Sequence, residues 1–91
     1  MNEREVLLGA ADLLERDGWC RGGRRGRRRG ALVAIRDAPG GGNDESFTDT
    51  GDRAWYLLED RVGPVNLWND YGALSGREVA RVLREVAETA P

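Results

Sequence analysis

Histidine is absent from this chain of 91 residues, and so is lysine. The first absence removes the commonest general base at neutral pH and the commonest metal ligand. The second makes all 14 basic residues arginine, a bias that reflects GC-rich coding and carries no mechanism. One cysteine excludes an internal disulfide and makes a cytoplasmic location the default. No run approaches the roughly 18–20 consecutive apolar residues of a membrane span, so no membrane partner is expected. The opening Met1-Asn2-Glu3-Arg4-Glu5 carries both signs of charge and no apolar segment, so no signal peptide is expected.

Chemical motifs are also missing. There is no spaced metal-ligand set, no Gly-x-x-x-x-Gly-Lys loop, and no base beside a serine or the cysteine. Glycines 22, 23, 26 and 30 lie among arginines and do not match Gly-x-Gly-x-x-Gly. Neither metal nor cofactor is expected, and the chain reads as a protein without catalysis of its own.

What is present is an uneven charge. Residues 20–36 hold seven of the fourteen arginines and no acid, so the rest of a chain of net charge −2 carries −9. A weakly acidic body thus bears one intensely basic loop, and the length suits a single small domain, 1–91.

Local signals divide the chain. Asn2 and Glu5 form a capping box, with Met1 and Val6 as its hydrophobic staple. Val6, Leu7, Ala10, Leu13 and Leu14 then lie on one helical face, which predicts a helix over 3–17. Gly18 is a natural left-handed stop, and a Schellman motif there would fold Trp19 back on Leu14. Residues 21–30, RGGRRGRRRG, read as a flexible Arg/Gly-rich loop. Residues 31–35 are apolar and too few to separate strand from helix. A second, Gly-rich loop follows at 39–47.

Asp49 or Thr50 starts the next helix, over 51–62, with Ala54, Trp55, Leu57, Leu58 and Val62 on its apolar face. Gly63-Pro64 stops it. Val65 to Trp68 reads as extended, and this piece and Trp19-Cys20 are able to pair. Asn69-Asp70-Tyr71-Gly72 is turn chemistry. Ser75 and Glu78 form a second capping box, with Leu74 and Val79 as its staple. Val79, Val82, Leu83, Val86 and Ala90 give the closing helix, over 76–89, one stripe. The fold class expected is α+β and mainly α: three to four short helices with at most a small two-stranded β pairing.

This layout resembles a known family. Leu13, Leu14, Gly18-Trp19-Cys20, Gly30-Ala31-Leu32, Trp68-Asn69-Asp70, Glu78-Val79 and Leu83 match an uncharacterised small-protein family of actinobacteria and their phages, known only as a domain of unknown function. The resemblance spans nearly the whole chain. It implies a mainly helical α+β domain with a helix after the basic loop, and it implies no activity, substrate or cofactor. Two places depart from the pattern: Arg21-Gly22 where the family usually has Gln-Gly, and Ser75-Gly76-Arg77 where it is threonine-rich. The arginine cluster is not a family hallmark.

Three functions are weighed. A binding or adaptor module with an unknown protein partner is favoured by the missing chemistry, with Trp19, Cys20, Trp68, Asn69 and Asp70 as candidate binding residues. Nucleic-acid contact would use Arg21, Arg24, Arg25, Arg27, Arg28 and Arg29, although no aromatic is interleaved to stack on bases. Against it stands a loop that is merely solvated, or docked on Asp44, Glu45, Asp49, Asp52, Glu59 or Asp60. An enzyme would use Asp70 with Cys20 or an arginine. The plain readings are that Asn69-Asp70 satisfies its own turn, Trp19 is packing and Cys20 is a small buried apolar residue. Trp19 and Trp68 are expected to meet inside the molecule.

Overall fold

In the computed structural model, which describes residues 2–91, the chain is mainly helical. Among the described residues there are five α-helices and one two-stranded sheet. Helix α1 is Glu3–Asp17, strands β1 and β2 are Arg24–Arg25 and Arg28–Arg29, and α2 is Ala31–Asp37. Helix α3 is Asp49–Val62, α4 is the single turn Val65–Leu67, a π turn covers Trp68–Gly72, and α5 is Gly76–Thr89. The resemblance's helix after the basic loop is α2, which resolves the 31–35 ambiguity. The helix number exceeds the three to four expected because α4 and the π turn occupy the stretch read as extended.

Helix starts follow local chemistry. Asn2 and Glu5 make both bonds of their capping box, at 2.9 and 3.2 Å. The Met1 half of the expected staple lies outside the described residues. Thr48 caps α3 by accepting from the Gly51 amide at 3.0 Å. Ser75 caps α5 by accepting from the Glu78 amide at 3.1 Å, but Glu78 takes the Leu74 amide rather than that of Ser75. The Leu74–Val79 staple does not form, because Leu74 is 84% exposed.

Helices α1 and α5 form the centre of the molecule. Gly76, at the start of α5, lies against Trp19, while Arg84 reaches Asp12 and Glu15 of α1, so the two helices run antiparallel. Arg84 is thus used between helices, while Arg81 pairs within α5 with Glu85, four residues on. Val6, Leu7, Ala10 and Leu14 meet Val79, Leu83 and Val86 in the core, with Ile35, Leu58 and Val65 closing its other sides. Much of the remaining core is alanine, which lets helices approach closely. No helix is long and apolar enough to cross a membrane.

The expected Schellman stop also takes another form. The Gly18 amide does bond Leu14 O, at 2.9 Å, but its φ of 98° and ψ of 162° lie in an extended region open only to glycine. The chain leaves α1 extended rather than curled back. It then pairs with the end of the hairpin: Arg29 N donates to Gly18 O and Cys20 N to Arg29 O, both at 3.1 Å.

The β pairing lies within the basic stretch, Arg24 opposite Arg29 and Arg25 opposite Arg28, and not between Trp19-Cys20 and Val65–Trp68. Gly26 turns it with a φ of 62° at the first of the two turn positions, as type II′ hairpins require. Residues 39–47 are closed by a bridge between Gly42 and Phe47, with the Asn43 side chain accepting from the amides of Glu45 and Ser46.

Candidate functional site

Asn69 is the only polar residue buried in the core among the described residues, at 1% exposure. The π turn places it there. Ala73 N donates to Trp68 O at 2.7 Å, five residues back, and the widened turn drives the Asn69 side chain inward. Its Oδ1 accepts from the Trp19 indole at 2.7 Å and from the Ala31 amide at 2.9 Å. Its Nδ2 donates to Cys20 O at 3.2 Å and to Asp70 Oδ1 at 2.9 Å. Every donor and acceptor of the amide is thereby used. One side chain joins the exit of α1, the start of α2 and the approach to α5.

Asp70 extends the clamp outward. Its Oδ1 accepts from the Gly22 amide at 2.6 Å, and its carbonyl accepts from Arg21 Nη1 at 2.7 Å. Arg21 lies 5.1 Å over the Trp19 ring, a cation–π contact. Gly30 has to be glycine for the same convergence, because a Cβ there would collide with Gly22 O and crowd Asn69 Nδ2.

Of the candidate binding residues, Trp19, Cys20, Asn69 and Asp70 thus come together with Arg21. Trp68 joins only as a neighbour, its indole packed against the core and against Gly72. The partner of the Trp19 indole is Asn69, the residue after Trp68, and no Trp19–Trp68 ring contact is present among the described residues. Asn69 and Asp70 do not close their own turn, as the plain reading had it. Apart from the bond between the two side chains, their partners lie 38 to 50 residues away.

The arginines divide into two sets. Arg29 bonds Asp17 at 2.7 Å and Asp37 at 2.9 Å, and Arg24 also pairs with Asp37. These acids, at the ends of α1 and α2, are not the six of 44–60 weighed as docking partners. No local signal marked Asp17 or Asp37, since each becomes a partner only when the helix ends converge on the hairpin. Arg25, Arg27 and Arg28 are exposed and make no ion pair among the described residues.

The electrostatics follow this geometry. Hydrogen bonds from Arg16 and Arg29 hold the Asp17 carboxyl well below its ordinary range. Burial by itself raises Asp37, but the bond from Arg29 and the fields of Arg24 and Arg36 outweigh it and leave the group lowered. Asp70 is lowered by the Gly22 amide and then by Asn69. That shift runs away from neutrality, so Asp70 is an ionised acceptor at neutral pH rather than a poised acid. Cys20 is buried, with no histidine anywhere to activate it. Among the described residues, no group of three or more Cys, Asp or Glu is arranged to hold a metal ion.

Three carboxylates with depressed pKa fasten the hairpin, so its attachment depends on pH. Their stabilisation is complete above the unfolded value near 3.8 and is lost as pH falls through the lower folded values. An NMR titration should give midpoints below 3.8 for Asp17, Asp37 and Asp70, with the Gly22 amide moving alongside Asp70. A midpoint for Asp70 at or above that value would mean the Gly22 contact is not held in solution.

The groups gathered here are those that carried the resemblance: Gly-Trp-Cys, Gly-Ala-Leu and Trp-Asn-Asp. The sequence model of a family of unknown function, DUF6197, matches residues 1–89. The chain belongs to that family. No curated protein and no solved structure matches it. In this DUF6197 protein these motifs form an asparagine-centred clamp that fixes three separate segments. The arginine hairpin is mounted on that clamp through the Gly22–Asp70 bond.

Proposed function

We propose that this protein is a non-catalytic binding module, and that its arginine hairpin contacts the phosphate backbone of a nucleic acid. One observation carries the reading. Among the described residues, Arg25, Arg27 and Arg28 stand exposed and without acidic partners at the tip of a hairpin whose base is held by Arg24, Arg29 and the Gly22–Asp70 bond. A hairpin needed only for packing would gain nothing from three like charges at its tip. Anchored guanidinium groups instead lose less freedom when they meet phosphates, and they release counterions. The acidic remainder of the chain keeps other faces away from a polyanion, which orients the approach. A cytoplasmic location, and the actinobacterial or phage setting of the resemblance, are compatible with such a ligand.

Binding should therefore weaken steeply with salt. In Arg25→Ser/Arg27→Ser/Arg28→Ser the slope of log K against log salt for a single strand should shrink by about 2. These side chains make no hydrogen bonds among the described residues, so the variant should keep the melting temperature of the parent. Equal affinity and slope in the two proteins would end this reading.

A second reading, an adaptor for a protein partner, is favoured by the exposed line Leu67, Tyr71 and Leu74, which are 59%, 84% and 84% accessible.

A further inference from the structure

The basic tract contains no aromatic residue, and in sequence that counted against base contact. The fold supplies one from elsewhere. Tyr71 follows Asp70, whose carboxylate takes the Gly22 amide and whose carbonyl takes Arg21 Nη1. Tyr71 thus sits one residue from the contact that holds the foot of the hairpin, and its phenol ring is 84% exposed. We infer that the ligand is single-stranded nucleic acid, with Tyr71 as the platform on which a base stacks and Arg21 as the adjacent phosphate contact. This inference rests on the nucleic-acid reading above and narrows it.

The chemistry favours a single strand. A base in a duplex is already stacked on its neighbours and offers its flat face to no side chain, whereas an unpaired base is free to lie on an aromatic ring. Arg21 is prepared for the phosphate beside it. Nη1 is tied to the carbonyls of Asn69 and Asp70, while Nε and Nη2 have no hydrogen-bond partner among the described residues. The neighbouring Asp70 carboxylate already receives bonds from Gly22 and Asn69, which reduces its repulsion of a phosphate. From Gly22 to the tip at Gly26 the hairpin reaches on the order of 14 Å. A strand anchored at Tyr71 and Arg21 would thus continue along the arginines to Arg25, Arg27 and Arg28.

The test is anisotropy with a labelled oligothymidylate and a duplex of equal length, at one salt concentration, on the full chain. The parent should prefer the single strand. Tyr71→Ala should lower single-strand affinity by about tenfold and leave duplex affinity unchanged, while Tyr71→Phe retains the parent's affinity. Tyr71 is exposed, and an unchanged melting temperature confirms that these variants fold.

Two results overturn the inference and spare the broader reading: Tyr71→Ala binding the single strand like the parent, or equal affinity of the parent for both strands, with the triple arginine variant still weakened. A Tyr71→Ala effect seen only as lost self-association in sedimentation also overturns it, and would assign the exposed line to contact between copies of the chain. If the parent binds neither probe at low salt, both readings fall together.

Discussion

Replacing Asn69 by alanine should lower the stability of the folded chain by about 3–4 kcal/mol. The change removes no large apolar surface. Its cost arises because the Ala31 amide and the Cys20 carbonyl lose their Asn69 bonds in the interior, while the Trp19 indole loses its acceptor. Each such orphaned group costs about 1–3 kcal/mol, and a shared network makes the losses cooperative. A domain of this length has only about 5–14 kcal/mol of total stability, so the variant should be visibly marginal in a urea melt. Asn69→Asp should cost a similar amount. The acid retains acceptors for Trp19 and Ala31 but turns a second carboxylate toward Asp70 and offers no donor to Cys20 O. A loss under about 1 kcal/mol for Asn69→Ala would mean that the network contributes little beyond packing.

The second large effect is a contrast between two glycines. Gly51→Ala, in the first turn of α3, should be destabilising by about 2–3 kcal/mol, against a gain of about 1 from helix propensity alone. The reason is the close approach of another backbone. A Cβ on Gly51 would be driven into the Gly41 carbonyl, which is held in place by the Gly41 N–H bond to Ala38 O and the Thr48 N–H bond to Gly41 O. Gly9→Ala, within α1, meets only Ala38 and Pro39 carbons at 3.4 Å, at the edge of ordinary contact. That substitution should be stabilising by about 0.5–1 kcal/mol. Chemical denaturation of the two variants side by side checks the opposite signs. A stabilised Gly51→Ala would show that α3 and the 39–47 loop do not pack this closely.

These expectations separate what was open to a reader of the sequence from what was hidden. Helix positions were open because their determinants sit three or four residues apart. Asn2 with Glu5 and Ser75 with Glu78 each start a helix within reach of their own side chains, whereas α3 is capped by Thr48, ahead of the expected Asp49 or Thr50. The stripe Val79, Val82, Leu83 and Val86 needs only the helical period to face inward, and all four are buried. Errors arose where a short segment had no such local vote. Val65 to Trp68 alternates over only four residues, too few to outweigh the packing of Val65 and the inward demand of Asn69. Leu74 had the spacing of a staple, yet it points to solvent.

By itself, then, the sequence determined the three long helices, the N-caps of the first and last of them, their buried faces, and the concentration of positive charge between the first two. The tertiary structure alone decided that Asn69 is a core hub rather than a turn residue, that Asp17 and Asp37 hold the arginine hairpin, and that Asp70 binds its foot. The physical reason is separation along the chain. An asparagine has the same donors and acceptors whether it bonds a neighbour or a residue 50 positions away, and only closure of the whole chain selects between them.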